Sequence, residues 1–220
     1  DGKTIAVLEP AQDYKRLMDD NQGPNTGGMG AYSPVKFVTA KVMDKIVSEI
    51  IVPTIHAMNS TNRPFQGVLY AGLMVSPAGI KVLEYNVRFG DPETQPLMMR
   101  LKSDLVPLLM AVVEQKLDRI KPIEWYSEPA VCVVMSSKGY PASPKTGDEI
   151  KFGGLSGNKN LQVFHAGTAL KDGKVITAGG RVLGVTARAQ DFSQARQKAY
   201  DAIKQISFDG AFYRTDIAKL

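Results

Sequence analysis

The chain has 220 residues, 44% of them apolar, with one cysteine and a formal net charge of +5. That is enough to bury one large core or two small ones, and a lone cysteine excludes any disulfide framework within the chain. The longest apolar runs, such as Leu108 to Val113, are far shorter than the roughly 20 residues a membrane span needs, and nothing near Asp1 reads as a signal peptide, so a cytoplasmic location without membrane association is expected. Residues 1–120 carry 13 basic and 13 acidic side chains against 14 and 9 in residues 121–220, so the basic excess belongs to the second half. Those charges are scattered and lack interleaved aromatics, which argues against nucleic-acid binding.

Along the chain, Thr4 to Leu8 reads as a strand, and the Gly- and Pro-rich stretch Gly23 to Pro34 reads as a loop. Thr39 is placed to cap a helix running to about Met58, with apolar Val42, Ile46, Ile50 and Ile51 at helical spacing and a kink at Pro53. Two apolar runs, Gln66–Val75 and Ile80–Asn86, joined by Ser76-Pro77-Ala78-Gly79, predict a β-hairpin. A helix from Ser103 follows, with a stripe from Leu105 to Leu117, ending before Lys121-Pro122, where a domain boundary is expected. Beyond it come short runs at Ala130–Met135, Leu161–His165, Lys174–Thr177 and Arg181–Ala187, then a helix from about Asp191 to Ile206. Antiparallel strands packed on a helix are the natural outcome, and Cys132 inside its apolar run reads as a buried, inert thiol. The expected class is α+β, divided into residues 1–121 and 122–220.

The run Val82-Leu83-Glu84-Tyr85-Asn86-Val87-Arg88 starts like a buried strand, yet Glu84, Asn86 and Arg88 alternate and so share one face. A carboxylate and an amide oxygen two residues apart supply two hard ligands for Mg²⁺, whose other sites waters and nucleotide phosphates would fill. Arg88, one step further, offers a planar fork suited to a phosphoryl or acyl-phosphate group. The plain alternative, a solvent-facing Glu84–Arg88 pair worth little, is equally compatible with these three residues alone.

The string Arg88-Phe89-Gly90-Asp91-Pro92-Glu93-Thr94-Gln95 resembles the signature of the glycinamide ribonucleotide synthetase (phosphoribosylamine-glycine ligase) family, ATP-grasp enzymes of purine biosynthesis. Further strings agree in order: Gln12 to Arg16, Gly23 to Pro34, Leu69 to Met74, Lys102 to Leu105, Phe164 to Thr168 and Gly179 to Leu183. The resemblance implies the large lobe of an ATP-grasp fold, an antiparallel sheet with helices, followed by a small β-rich C-terminal domain with one helix. It implies ligation of glycine to 5-phosphoribosylamine, with ATP as co-substrate cleaved to ADP and phosphate through glycyl phosphate. It makes Glu84 and Asn86 the ligands of Mg²⁺ or Mn²⁺. Arg88 would stabilise the acyl phosphate, and Asp91 would position the amine or order Arg88. Lys15 and Arg16 would reach phosphates, and the loop Asn25, Thr26, Gly27, Gly28 and Met29 would cradle phosphate or glycine with its backbone amides.

Two positions depart from the family pattern. Tyr14 stands where histidine is usual, which leaves the role of that position open, and the run Val68 to Leu73 lacks the carboxylate that many ATP-grasp enzymes carry before the E-x-N strand. Family members are about twice this length, so the chain matches their C-terminal part, and the N-terminal half of the same enzyme is the expected partner. Alone, such a piece is expected to be inactive. The competing readings are a non-catalytic docking domain, another ATP-grasp carboxylate-amine ligase, and a polyanion-binding module. His56 and His165 have no metal-spaced partner and receive no role.

Overall fold

Every strand ladder in the computed structural model, which describes residues 1–155 and 158–220, is antiparallel. In chain order the elements begin with β1 (Gln12–Asp13), β2 (Arg16–Met18), β3 (Gln22–Asn25) and β4 (Gly30–Ser33). Helices α1 (Ala40–Ile46) and α2 (Val52–Ser60) flank a π-helical turn, Val47–Ile51. Strands β5 (Tyr70–Ser76) and β6 (Gly79–Asn86) lead to α3 (Thr94–Arg100) and α4 (Leu105–Val113). Then come β7 (Ala130–Ser136), β8 (Lys151–Phe152), β9 (Leu161–His165), β10 (Thr168–Lys171), β11 (Lys174–Thr177), β12 (Arg181–Arg188), α5 (Phe192–Ile203) and β13 (Ile206–Ser207). No helix of the described residues is long and apolar enough to cross a membrane.

Two compact units result, and they interleave along the chain. The first comprises Asp1–Pro10, Val35–Gly90 and Leu101–Trp125; the second comprises Ala11–Pro34, Asp91–Arg100 and Tyr126–Leu220. This spatial division differs from the sequential split at residue 121, because strands from before residue 35 join the sheet that β7 and β12 build.

In the first unit, the Thr39 hydroxyl accepts from the Val42 N–H, so the expected cap is present. Pro53 has no N–H to offer the carbonyl four residues back, and its ring would clash there; the π turn just before it relieves this, with the Val52 N–H reaching back to the Val47 carbonyl. The hairpin β5–β6 turns through Pro77-Ala78, with Ser76 opposite Gly79 at positive φ. Helix α4 starts at Leu105, two residues later than expected, with Asp104 as the cap that accepts from the Val106 N–H, and it closes at Val113. Thr4–Leu8 is no strand, since it finds no ladder partner among the described residues.

In the second unit, five strands pair in the order β1-β4-β7-β12-β9. All seven residues of β7 are buried, as are the last seven of β12, because α3 and α5 both pack against these strands. Helix α5 is capped by Asp191 and buries Ala195, Ala199, Ala202 and Ile203, a stripe of small residues that lets it lie close to the sheet. Cys132 is fully buried in this core, where burial pushes its thiol up to about 12. The Gly- and Pro-rich segment is not one loop: β3 and β4 occupy most of it, and all of β4 is buried. Gly30 is glycine for closeness, since a Cβ there would sit 2.7 Å from the Cys132 carbonyl oxygen and 2.9 Å from Ile217.

Candidate functional site

The residues expected to carry chemistry fall in both units. Glu84, Asn86 and Arg88 belong to the first; Lys15, Arg16, the loop 25–29 and Asp91 belong to the second.

In the first unit, β6 pairs with β5 so that Glu84 faces Gly72 and Asn86 faces Tyr70. Between Gly72 and Leu73 the register slips, leaving Leu83 as an extra residue on β6. Such a bulge re-aims the side chains beside it, and it falls next to Glu84. Tyr85 points the other way, its hydroxyl hydrogen-bonding the Thr54 hydroxyl on α2 at 2.7 Å. Glu84 and Asn86 therefore share the face turned away from α2; Glu84 is exposed and Asn86 half-buried, and neither is packed into apolar surroundings. Arg88 lies two residues past the end of β6 rather than on it. Its guanidinium donates to the Phe89 carbonyl at 2.9 Å and, at 3.5 Å, to Asn86 Oδ1, and not to Glu84. Among the described residues no three or more His, Cys, Asp or Glu side chains cluster as a metal cage. Two hard oxygens on an open face instead fit a hydrated divalent cation completed by phosphate oxygens.

In the second unit, the loop 25–29 is held tightly. The amides of Thr26, Gly27, Gly28 and Met29 donate, in that order, to the Lys15 carbonyl at 2.7 Å, the Tyr140 hydroxyl at 2.8 Å, the Thr26 hydroxyl at 2.9 Å and the Tyr14 carbonyl at 2.8 Å. The amides expected to cradle a phosphate are thus committed within the chain, and Gly28 and Met29 are buried; Asn25, Thr26 and Gly27 form the accessible part. Lys15 is drawn 2.8 Å from Asp13, and Arg16 braces the β2–β3 hairpin by donating to the Gly23 carbonyl at 2.8 Å. Tyr14 has a structural position: its hydroxyl accepts from the Ala218 N–H at 3.0 Å, its ring lies 4.9 Å from the Arg214 guanidinium carbon, and burial raises its phenol.

Asp91 is gripped from both sides. Gln95 on α3 donates to Oδ1 at 3.0 Å, and Arg181 at the start of β12 donates to Oδ2 at 2.9 Å and to the Asp91 carbonyl at 2.6 Å. The same guanidinium donates to the carbonyls of Gly27 at 2.9 Å and Gly28 at 3.4 Å. Arg181, Tyr140 and Gln95 were not among the expected site residues. The spacing Asp91-x-x-x-Gln95, one helical turn, was the only local signal available.

The chain matches two family profiles, "Phosphoribosylglycinamide synthetase, ATP-grasp (A) domain" over residues 1–94 and "Phosphoribosylglycinamide synthetase, C domain" over residues 130–220. It is 54% identical over 220 residues to the phosphoribosylamine--glycine ligase of Rhodopirellula baltica, covering 99% of this chain and 50% of that protein. The Synechocystis protein of the same name is 53% identical over 218 residues, with 99% and 52% covered. The solved phosphoribosylamine--glycine ligase of Thermotoga maritima superimposes with a TM-score of 0.88 at 36% identity, covering 98% of this chain and 53% of that one. The biotin carboxylase subunit of pyruvate carboxylase shares the fold, with a TM-score of 0.61 at 12% identity over 91% of this chain and 42% of that one. The chain spans about half the length of the curated relatives it matches. With an α+β fold of antiparallel sheets and few helices, and with profile matches over most of its length, the chain belongs to the phosphoribosylglycinamide synthetase family.

Proposed function

We propose that this chain is part of an ATP-dependent ligase that joins glycine to 5-phosphoribosylamine in the cytoplasm; the name of its relatives supports the ligation and the ATP-grasp profile supports the use of ATP. A carboxylate is a poor electrophile. Transfer of the ATP γ-phosphoryl group to the glycine carboxylate, releasing ADP, gives it a leaving group. The amine nitrogen then attacks the carbonyl carbon, the bond to the phosphate oxygen breaks, and the amine loses a proton. Positioning and charge neutralisation supply the catalysis.

The observation that carries this reading is the open face of β6, where Glu84 and Asn86 present two hard oxygens free of apolar packing. These residues would hold Mg²⁺ or Mn²⁺, which when bound neutralises phosphate charge. Arg88, exposed and hydrogen-bonded to the nearby Phe89 carbonyl and Asn86 Oδ1, would steady the acyl phosphate. Asp91 would orient the amine, and Lys15 would reach a phosphate by leaving Asp13. The loop 25–29 would serve as a rigid wall beside the ligand, with Asn25, Thr26 and Gly27 as its accessible part. We also propose that residues 1–121 and 122–220 are the units of family inheritance, in keeping with the profile matches to 1–94 and 130–220.

The test is glycine-dependent ADP release by the full-length enzyme. Glu84→Gln should abolish it while circular dichroism and melting stay unchanged; retained turnover removes the metal assignment. The 220-residue chain alone should be inactive, and adding the upstream half as a separate chain should restore turnover.

A further inference from the structure

Arg181 opens β12 at a second register slip: Arg181 pairs with Ser136 and Leu183 with Met135, so Val182 is left over and fully buried. Arg181 stays in the ladder opposite Ser136, just before the slip, and its guanidinium grips two separate segments at once. Nη1 donates to the carbonyls of Gly27, Gly28 and Asp91, and Nη2 to the Asp91 carboxylate.

The glycines around it make this grip possible. A Cβ on Gly27 would lie 3.0 Å from the guanidinium carbon, and one on Gly28 would lie 2.5 Å from Pro92 Cδ. A Cβ on Gly180 would lie 2.3 Å from the Tyr140 ring, whose hydroxyl takes the Gly27 N–H. Gly180 and Arg181 thus serve one end: the first admits the tyrosine that holds the loop's amide, and the second holds the loop's carbonyls. With Gln95 on the other oxygen, the Asp91 carboxylate has no rotational freedom left, yet its side chain is still 44% exposed and open to a ligand.

A half-exposed ion pair adds little to stability by itself. A planar fork that ties two loops and one carboxylate together sets geometry, which a lysine could not reproduce. We infer that Arg181 is a positioning residue, which locks the glycine-rich loop and the Asp91 carboxylate into one rigid surface for the amine-bearing substrate. This rests on the ligase reading above, in which Asp91 meets the amine.

Arg181→Lys and Arg181→Ala in the full-length enzyme test it, with two independent readouts. Hydrogen exchange needs no substrate: in Arg181→Lys the amides of Thr26–Met29 should exchange at least tenfold faster, while those of β7 stay protected. In kinetics, Arg181→Lys should raise KM for 5-phosphoribosylamine or lower kcat at least tenfold, with KM for ATP within twofold. Millimolar guanidinium should restore part of the loss in Arg181→Ala, and Arg181→Lys combined with Asp91→Asn should be no worse than Asp91→Asn alone. Parental exchange in Arg181→Lys overturns the clasp, and parental 5-phosphoribosylamine kinetics or additive losses with Asp91→Asn overturn the positioning role. A parent enzyme without glycine-dependent ADP release would instead overturn the ligase reading, and the exchange readout would still decide the clasp.

Discussion

Glu84 lies directly across the β5–β6 ladder from Gly72, with its Cγ 3.1 Å from where a Cβ on that glycine would stand. The side chain proposed as a metal ligand thus rests on the bare backbone of the neighbouring strand. Gly72→Ala needs no unusual backbone angle, since Gly72 is not among the positive-φ residues. Its methyl would push Glu84 aside by a few tenths of an ångström. The full-length variant should melt within about 2 °C of the parent yet need several-fold more Mg²⁺ for half-maximal rate. An unchanged metal requirement would show that Glu84 is placed by something other than this contact.

Acid should weaken the second unit through Asp216. Burial pushes this carboxyl up, but two hydrogen bonds from Arg214, at 2.7 and 2.6 Å, and one from the Asp20 N–H overcome it and leave it at about 2. An unfolded aspartate titrates near 4. The stabilisation is therefore complete above about pH 4 and is lost as pH falls through about 2, amounting to roughly 1–2 kcal/mol after solvent screening. Asp216→Asn removes the carboxylate that neutralises Arg214, 1% exposed, and leaves it the Arg16 carbonyl and Asn21 Oδ1 as acceptors; it should cost about 3 kcal/mol at pH 7 while flattening that acid limb. Urea titrations from pH 2 to 7 measure both.

Gly30→Ala should be among the most damaging single-methyl additions in this protein. The clash is with the Cys132 carbonyl and Ile217 in a closed core, where neither strand can retreat. We expect a loss of about 3 kcal/mol by denaturant titration. A loss below about 0.5 kcal/mol would mean the sheet yields more readily than its packing indicates.

Cys132 should resist alkylation at pH 8 in the folded chain and react promptly in about 6 M guanidinium, because its thiol is fully buried and held in the protonated form. Native modification on the time scale of an exposed thiol would contradict the covered sheet described above.

What could be foreseen from the residue order divides by the range of the cause. The hairpin, the Thr39 cap, the start of the last helix near Asp191 and the buried runs at Ala130 and Arg181 were all legible, because turn chemistry, capping and apolar runs act over a few residues. Strand β4 was hidden: Gly30 is there to admit Cys132 from across the sheet, and a glycine read without that neighbour signals a loop. Thr4–Leu8 erred in the other direction, having strand-forming residues but no ladder. Helix α3 was masked by Pro92 and Pro96, which read as breakers but stand just before the helix and in its first turn. At the candidate site, Glu84 and Asn86 were brought onto one face by alternation and picked out as ligand candidates by the family resemblance. Arg181 was not, since its partners lie 90 and 154 positions away.

The central sheet sets an order on synthesis. Strand β4 leaves the ribosome roughly 100 positions before β7, the strand that covers it, and Tyr14 waits for Ala218, 204 positions later. While translation proceeds, the emerging polypeptide must carry β4 with its edge bare, and a pause just before the codon for Ala130 would prolong that exposure. Stalled chains should therefore expose β4 to chaperone capture and aggregation before Arg181 has been made.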